Sequence, residues 1–402
     1  MKNNPLNLPQ RVKFCKYCVI SNQRPNSTVE FLNDNTNKQT IDFDETNICS
    51  ACDYNIKEKQ QNIDWETREN RLLKLLERFR KDDGSYDVII PGSGGKDSAY
   101  TAHILKYKYG MSPLTVTWAP HEYTDIGWSN FNNWIKIGGF DNILFTPNGR
   151  LHKILTSLAF KNLLHPFQPF IIGQRIIGPA MASKYGIKLV FYGENQAEYG
   201  NLVSENQNPL MQDKFFSHNN SSELLLGGLP IKKIINEFDF KLADFNPYIP
   251  PKSEELFKKQ IEVHYLGYYL KWDPQECFYY AVENTGFSSN SERTEGSYSK
   301  YSSIDDKIDP FHYYTTLIKF GIGRATYDAS QEIRNEKITR EEGIGLVKKY
   351  DLEFPSKYFK EFLEYIDLNE DTFWECIDSN RSEHIWTKKD NEWVLKKPIW
   401  EI

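Results

Sequence analysis

Long apolar runs are missing from this chain of 402 residues. No stretch approaches the roughly 20 consecutive apolar positions of a membrane-spanning helix, and the opening MKNNPLNLPQRVKFCKYC lacks the apolar core of a secretory signal. A membrane role is therefore not expected, and a cytoplasmic location is. Positive charge is not in excess either: 49 Lys and Arg stand against 55 Asp and Glu, a formal net charge of −6, so the basic footprint of a nucleic-acid-binding protein is absent. Cysteine is scarce at six residues, too few for a disulfide scaffold in a chain of this size. Internal repeats, heptads and low-complexity tracts are also lacking.

What is present fits a folded, aromatic-rich soluble protein rather than a disordered one, with 39% hydrophobic and 26% charged residues, 25 Phe and 24 Tyr. At about 150 residues per domain the length suggests two or three units. Residues 1–62 read as a four-cysteine unit, 63–245 as an α/β domain and 246–402 as a mainly helical region for substrate or partner. A helix is expected over 64–81, capped by Asp64. From Tyr86 short β-rich runs (YDVIIPGS, LTVTWAP, NILFTP, IKLVFYGEN) alternate with helical stretches, the pattern of a parallel, doubly wound sheet. Two polar stretches stand out: 201–222 reads as a mobile insertion, and 288–309 has too few apolar residues for core and reads as a lid. Thr339 and Glu342 form a capping box ahead of a later helix.

The run VIIPGSGGKDSAY places glycines between a strand and a helix start, where backbone N–H groups can converge on phosphate oxygens. It is not a Walker loop, because Ile90 and Asp97 stand where Gly and Ser or Thr are needed, and a dinucleotide fingerprint fails at Asp97. The cysteines offer a second site. Cys15/Cys18 and Cys49/Cys52 are two C-x2-C pairs, and four thiolates close a tetrahedral shell. That suits a structural zinc, with a redox dithiol pair or an iron–sulfur cluster as alternatives.

The hexapeptide SGGKDS after a β-run resembles the pyrophosphate loop of the ATP-pyrophosphatase (PP-loop) superfamily, whose sheet is of the adenine nucleotide alpha hydrolase-like type. That resemblance implies a cradle of Ser93, Gly94, Gly95 and Ser98 for pyrophosphate, with Lys96 offsetting charge and Asp97 near Mg2+. Further blocks (HPFQPFIIGQRIIGP, LVFYGENQAEYG, YYLKWDPQE, YSSIDDKIDPFHYY and FGIGRATYDASQEIRNEKITREEG), together with the cysteine pairs, resemble the N-acetyl sugar amidotransferases of pseudaminic and legionaminic acid and surface-polysaccharide biosynthesis. The resemblance runs from about 12 to 355 and leaves 356–402 unplaced. It implies that ATP adenylates an acetamido oxygen and that ammonia displaces AMP, leaving an acetamidino group. The chain carries no glutaminase signature, so ammonia is expected from a glutaminase partner, with a cyclase-like subunit alongside in such systems. This chemistry needs positioning and charge stabilisation rather than a protein nucleophile.

Beyond the loop, Glu194 and Asn195 follow a buried-looking strand, where a carboxylate can hold Mg2+ or sugar, or simply cap a loop. Arg324 either faces the transferring phosphate or pairs with Asp328 at a helix start. Lys300 and Asp306 in the 288–309 stretch are lid candidates. Gln174 and Arg175 are substrate candidates, while His165 before Pro166 reads more as a turn residue. Trp118 and His121 can border adenine or the acetamido group, although aromatics at such places are more often core. The rival functions are a tRNA-thiolating enzyme, for which Cys277 and Cys376 stand too far apart in sequence, and a noncatalytic zinc-bearing scaffold, which the intact Ser93, Lys96, Asp97 and Ser98 oppose.

Overall fold

A computed structural model describes residue 4 and residues 6–36, 38–60, 63–194 and 207–402. Strands β1 (Val88–Pro91), β2 (Pro113–Trp118), β3 (Asp141–Phe145), β4 (Leu189–Tyr192) and β5 (Glu262–Tyr265) form one parallel sheet in the order β3-β2-β1-β4-β5. β1 pairs on both edges, Ile89 lying opposite Leu114 on β2 and Val190 on β4, and all four of its residues are buried. A central parallel strand covered on both faces reads as such an unbroken apolar run, which is why VIIP carries no alternation. Its side chains still divide with period two. Val88 and Ile90 pack with Leu72, Ala99 and Trp134 on one face, and Ile89 packs with Ile172 and Ile176 on the other.

Three of the helices around the sheet begin where local hydrogen bonding dictates. The side chains of Asp64, Thr124 and Asn148 accept backbone N–H bonds at the starts of α2 (Trp65–Phe79), α4 (Asp125–Lys136) and α5 (Gly149–Leu163). α1 is Ser50–Gln60, α3 (Lys96–His103) runs on into a π-helical turn over Ile104–Lys108, and α6 is Gln168–Tyr185. The later part is mainly helical: α7 (Pro274–Thr285), α8 (Asp309–Phe320), α9 (Arg324–Arg334) and α10 (Arg340–Tyr350). The Thr339/Glu342 capping box opens α10. The α/β sheet, the cysteine unit and the helical C-terminal region are thus all present.

Four features depart from the sequence expectation. β5 comes from EVHY, past residue 245; a four-residue edge strand with Glu and His in it has no pattern to betray it. Within 201–222, residues 201–206 lie outside the described residues, while 207–222 packs down, with Met211, Phe215 and Phe216 buried and Leu210 bridging to His264 beside the sheet. The polar 288–309 stretch is folded by hydrogen bonds together with the burial of Ile304 and Ile308 in the neighbouring cores. Arg293 makes a two-pronged ion pair with Glu353 at 2.6 Å, Ser297 Oγ donates to Asp328 at 2.5 Å and Thr294 Oγ1 donates to the Ser302 carbonyl at 2.8 Å. Finally, Trp386–Lys389 and Glu392–Leu395 form an antiparallel hairpin around Asp390 and Asn391, both at positive φ, as a two-residue hairpin turn requires.

The cysteine unit shares its core with the C-terminal region, since Cys15, Cys18, Cys49 and Cys52 cluster with Phe311, Ile318, Phe362 and Phe373. Phe31, midway between the two cysteine pairs, instead buries itself in the sheet domain's own core and is 1% exposed. The segment between the pairs is therefore a finger anchored at its tip. Phe31→Ala should lower unfolding stability by about 3–5 kcal/mol in chemical denaturation; a loss under about 1 kcal/mol would contradict that anchoring.

Candidate functional site

In the order β3-β2-β1-β4-β5 the chain leaves β1 toward β2 on one side and later adds β4 on the other, so the crevice for ligands opens at the carboxyl ends of β1 and β4. The glycine loop leaves the first and Glu194 the second. Gly92 donates its N–H to the Val116 carbonyl at 2.9 Å, and a Cβ there would fall 2.2 Å from Ser98 Cβ. Gly94 sits at φ +85°, with a Cβ position 2.8 Å from Phe131 Cα. These two glycines are demanded by the turn itself. Gly95 differs, because its Cβ position meets nothing closer than Ser93 Oγ at 3.7 Å. It precedes α3, whose N-terminus has no side-chain cap. An open glycine before an uncapped helix start is a fitting cradle for an anion.

Two hydroxyls brace this loop. Ser98 Oγ donates to the Gly95 carbonyl at 3.0 Å, and Ser93 Oγ donates to Asp305 Oδ2 at 2.9 Å, tying the loop to the polar 288–309 segment. Burial raises the Asp305 carboxyl above the usual range, against the pull of that bond. Lys96 Nζ lies 2.5 Å from Asp97 Oδ2. Burial alone would pull the lysine down, but Asp97 and, behind it, Glu194 more than offset this and hold its pKa above the ordinary value. The second carboxylate oxygen, Asp97 Oδ1, is buried with no hydrogen-bond partner. An orphaned carboxylate oxygen beside a phosphate cradle fits a hard divalent cation such as Mg2+.

Lys96, Asp97 and Glu194 line a cavity of about 400 Å³, together with Arg175, His165 and Arg324. The cavity is also walled by the finger of the cysteine unit (Arg24, Thr28, Glu30, Lys38) and by α8 and α9 (His312, Lys319, Asp328, Glu332). Seven Lys and Arg against six Asp and Glu line it, so a chain that is negative overall presents a slightly positive interior, suited to an anionic ligand. Glu194 takes a left-handed conformation, φ +53°, as its chain turns out of the sheet. Arg324 makes the expected ion pair, its Nε 3.0 Å from Asp328, and its guanidinium lies 4.3 Å from the Tyr313 ring at the cavity wall.

The remaining candidates lie elsewhere. Trp118 is 3% exposed, packed edge-on to Tyr248 and so tightly against Gly173 that a Cβ there would come within 2.1 Å of the indole. His121 stacks on His152 at 4.6 Å, away from the cavity lining. Gln174 is exposed, Lys300 is exposed and donates to the Ser291 carbonyl, and the buried Asp306 holds the Ile308 N–H. Asn195 lies outside the described residues. Sequence reasoning missed Asp305, Glu30, Lys38, His312 and Lys319. Only Lys319 carried a visible sign, a charge inside the apolar run TTLIKF; the others are brought in by tertiary packing.

The four cysteines are all buried, with their sulfurs within 4.8 Å of one another and Cys18 Sγ 3.8 Å from Cys49 Sγ. Thiolates about 2.3 Å from a zinc ion sit about 3.8 Å apart at tetrahedral angles, so the cluster fits a closed four-thiolate shell. Backbone N–H groups of Tyr17 and Cys49 approach Cys15 Sγ at 3.4 Å, orienting that sulfur. Arg340 on α10 donates to the Cys15 and Cys18 carbonyls and joins the unit to the helical region. Among the described residues no helix is long and apolar enough to cross a membrane.

Residues 295–399 match the family described as LPS biosynthesis protein WbpG-like, C-terminal domain. The match takes in α8, α9 and most of the stretch from 356 onward. Among solved structures the chain is similar to NMN synthetase from Francisella tularensis, at 13% identity and a TM-score of 0.28, over 68% of this chain and 94% of that one. No curated protein matches it.

Two substitutions test the site's parts. Gly95→Ala should leave the melting temperature near wild type yet weaken MgATP binding roughly tenfold, about 1.4 kcal/mol, by calorimetry; unchanged affinity would remove the cradle reading. Cys49→Ser should lose bound metal by elemental analysis and melt several degrees lower; a metal-free variant with wild-type melting would contradict a structural centre.

Proposed function

We propose that this chain is an ATP-dependent amidotransferase of surface-glycan biosynthesis, of the PP-loop ATP-pyrophosphatase type. In this reading it transfers AMP to the acetamido oxygen of an N-acetylated sugar, of the kind found in nonulosonic acids such as pseudaminic and legionaminic acid or in nucleotide-linked sugars, and replaces that oxygen with ammonia-derived nitrogen. The observation that carries the reading is the uncapped glycine loop with the orphaned Asp97 oxygen, set into one wall of a polar cavity. The WbpG-like segment supplies the facing wall, which supports a glycan substrate.

The chemistry follows from what each group can do. An amide oxygen is a poor leaving group until it is esterified to AMP, and the esterification spreads negative charge over phosphates. Lys96 and the α3 amides oppose that charge, and Mg2+ held at Asp97 would neutralise it further. Arg324 and Arg175 offer planar donors to phosphate or sugar from the other walls. Zinc bound by the four thiolates would have no open position for catalysis and would hold the finger in place. Cys277 and Cys376 supply neither sulfur nor a glutaminase nucleophile, because burial pushes both thiols up, away from the reactive thiolate. Ammonia accordingly comes from a glutaminase partner.

The test is phosphorus NMR of ATP, Mg2+ and ammonium chloride with a panel of free, CMP-linked and UDP-linked acetamido sugars. AMP and pyrophosphate should form only with an acetamido sugar; ADP and phosphate, or turnover that answers to tRNA, would overturn the reading. Asp97→Ala should cut turnover at least about a thousandfold with melting preserved, a loss of ~4 kcal/mol in transition-state stabilisation.

A further inference from the structure

The cavity contains a proton-handling cluster that adenylation does not use. His165 Nε2 lies 3.4 Å from Glu30 Oε1, and its ring stacks on His312 at 4.8 Å. Glu30 arrives on the finger of the cysteine unit. Phe31 anchors that finger, and the Glu30 backbone carbonyl accepts from Gln168 Nε2 at 2.8 Å. His165 is 7% exposed, and the Nδ1 of His312 is buried without a hydrogen-bond partner. All three residues line the same cavity as Lys96 and Asp97.

We propose that His165, oriented by Glu30, is the base that takes a proton from the attacking nitrogen in the second half of the reaction, and that Glu30 is a positioning residue for it. The inference rests on the amidotransferase reading. Ammonia forms the new C–N bond with its lone pair and becomes a cationic ammonio group on the adduct. That group passes one proton to the imidazole. The C–O bond to AMP then breaks, its electron pair leaving on the phosphate oxygen, while the lone pair freed on nitrogen forms the C=N bond of the acetamidinium. The imidazolium afterwards returns its proton to water. Until that proton is removed the ammonio nitrogen has no lone pair with which to form the C=N bond, and the adduct can revert by losing ammonia.

Four other carboxylates on the cavity wall already hold a cation or a hydroxyl. Asp97 holds Lys96, Asp273 holds Lys337, Asp328 holds Arg324 and Ser297, and Glu332 accepts from Tyr298. Lys319 Nζ donates to the Leu163 carbonyl at 2.9 Å. The groups facing the histidine pair are Glu30 and Lys38 from the finger and Lys319 from α8, with Arg324 acting at longer range on His312. Burial keeps His165 neutral by lowering its pKa below the ordinary histidine value, a shift that Glu30 only partly reverses. Burial also works against the Glu30 carboxylate, but the contacts with His165, Lys38 and Asn33 outweigh it and hold that carboxyl below the usual carboxylate range. The base is therefore unprotonated at neutral pH, with an ionised partner ready to stabilise the imidazolium.

The two half-reactions separate the proposal from its foundation. With the acetamido sugar that gives wild-type AMP formation, sugar-dependent ATP–pyrophosphate exchange measures adenylation, and ammonium-dependent AMP release measures nitrogen attack. His165→Gln should keep exchange within about threefold and lose AMP release by roughly a hundredfold or more. Glu30→Gln, the milder change, should move the acid limb of kcat to lower pH, because removing the carboxylate makes the imidazolium harder to form. Equal loss of both half-reactions in a folded His165→Gln would overturn the proposal. So would a Glu30→Gln pH profile that coincides with wild type, and that result decides the matter even where His165→Gln does not fold. Absence of sugar-dependent exchange in the wild type would overturn the amidotransferase reading itself, and the base with it.

Discussion

Everything in this molecule depends on the double pairing of β1. Held on one edge by β2 and on the other by β4, and buried on both faces, this four-residue strand fixes where the chain reverses its direction of travel across the sheet. The glycine loop and Glu194 then emerge side by side because parallel neighbours end on the same edge. A shift of one residue in β1 would exchange Val88 and Ile90 for Ile89 between the two cores and carry the loop with it.

Around that strand the site is closed mostly by polar interactions. The loop is stapled to the 288–309 segment through Ser93 and Asp305, and that segment is held in turn by Arg293 and Glu353. A hydrogen bond to a charged group contributes about 1.5–3 kcal/mol, so a serine-rich stretch can be well ordered without an apolar core of its own. The finger between the cysteine pairs completes the enclosure from the far side. Its role explains a long spacer between two short C-x2-C turns: the four buried cysteines anchor the finger's ends in the C-terminal core, and Phe31 anchors its tip in the sheet. The same finger delivers Glu30 to His165, so the structural centre and the proposed chemistry share one segment.

What could be read in the sequence divides along physical lines. Strands β1 to β4, the Asp64 and Thr339 caps and the glycine loop rest on local rules of apolar runs, capping side chains and glycine turns, and they stand where those rules put them. The cysteine cluster was legible because the C-x2-C turn repeats and each pair is close in sequence. β5, the packed 288–309 segment and the wall formed by Glu30, Lys38 and His312 were not, because each is stabilised by partners far away in sequence. His165 shows the limit well. Beside Pro166 it has the local signature of a turn residue, and only the fold reveals the carboxylate from residue 30 against its ring. Trp118 errs the other way, since its place at a strand end suggested a ligand and its indole is core.

The central claim is that the acetamido oxygen itself is transferred to phosphorus. It is tested most directly by preparing the accepted acetamido sugar with oxygen-18 in the acetyl carbonyl and recording the mass of the AMP formed with ATP, Mg2+ and ammonium. The account predicts one heavy oxygen in each AMP and none in the sugar product. Unlabelled AMP, with the label kept by the sugar or lost to water, would contradict it.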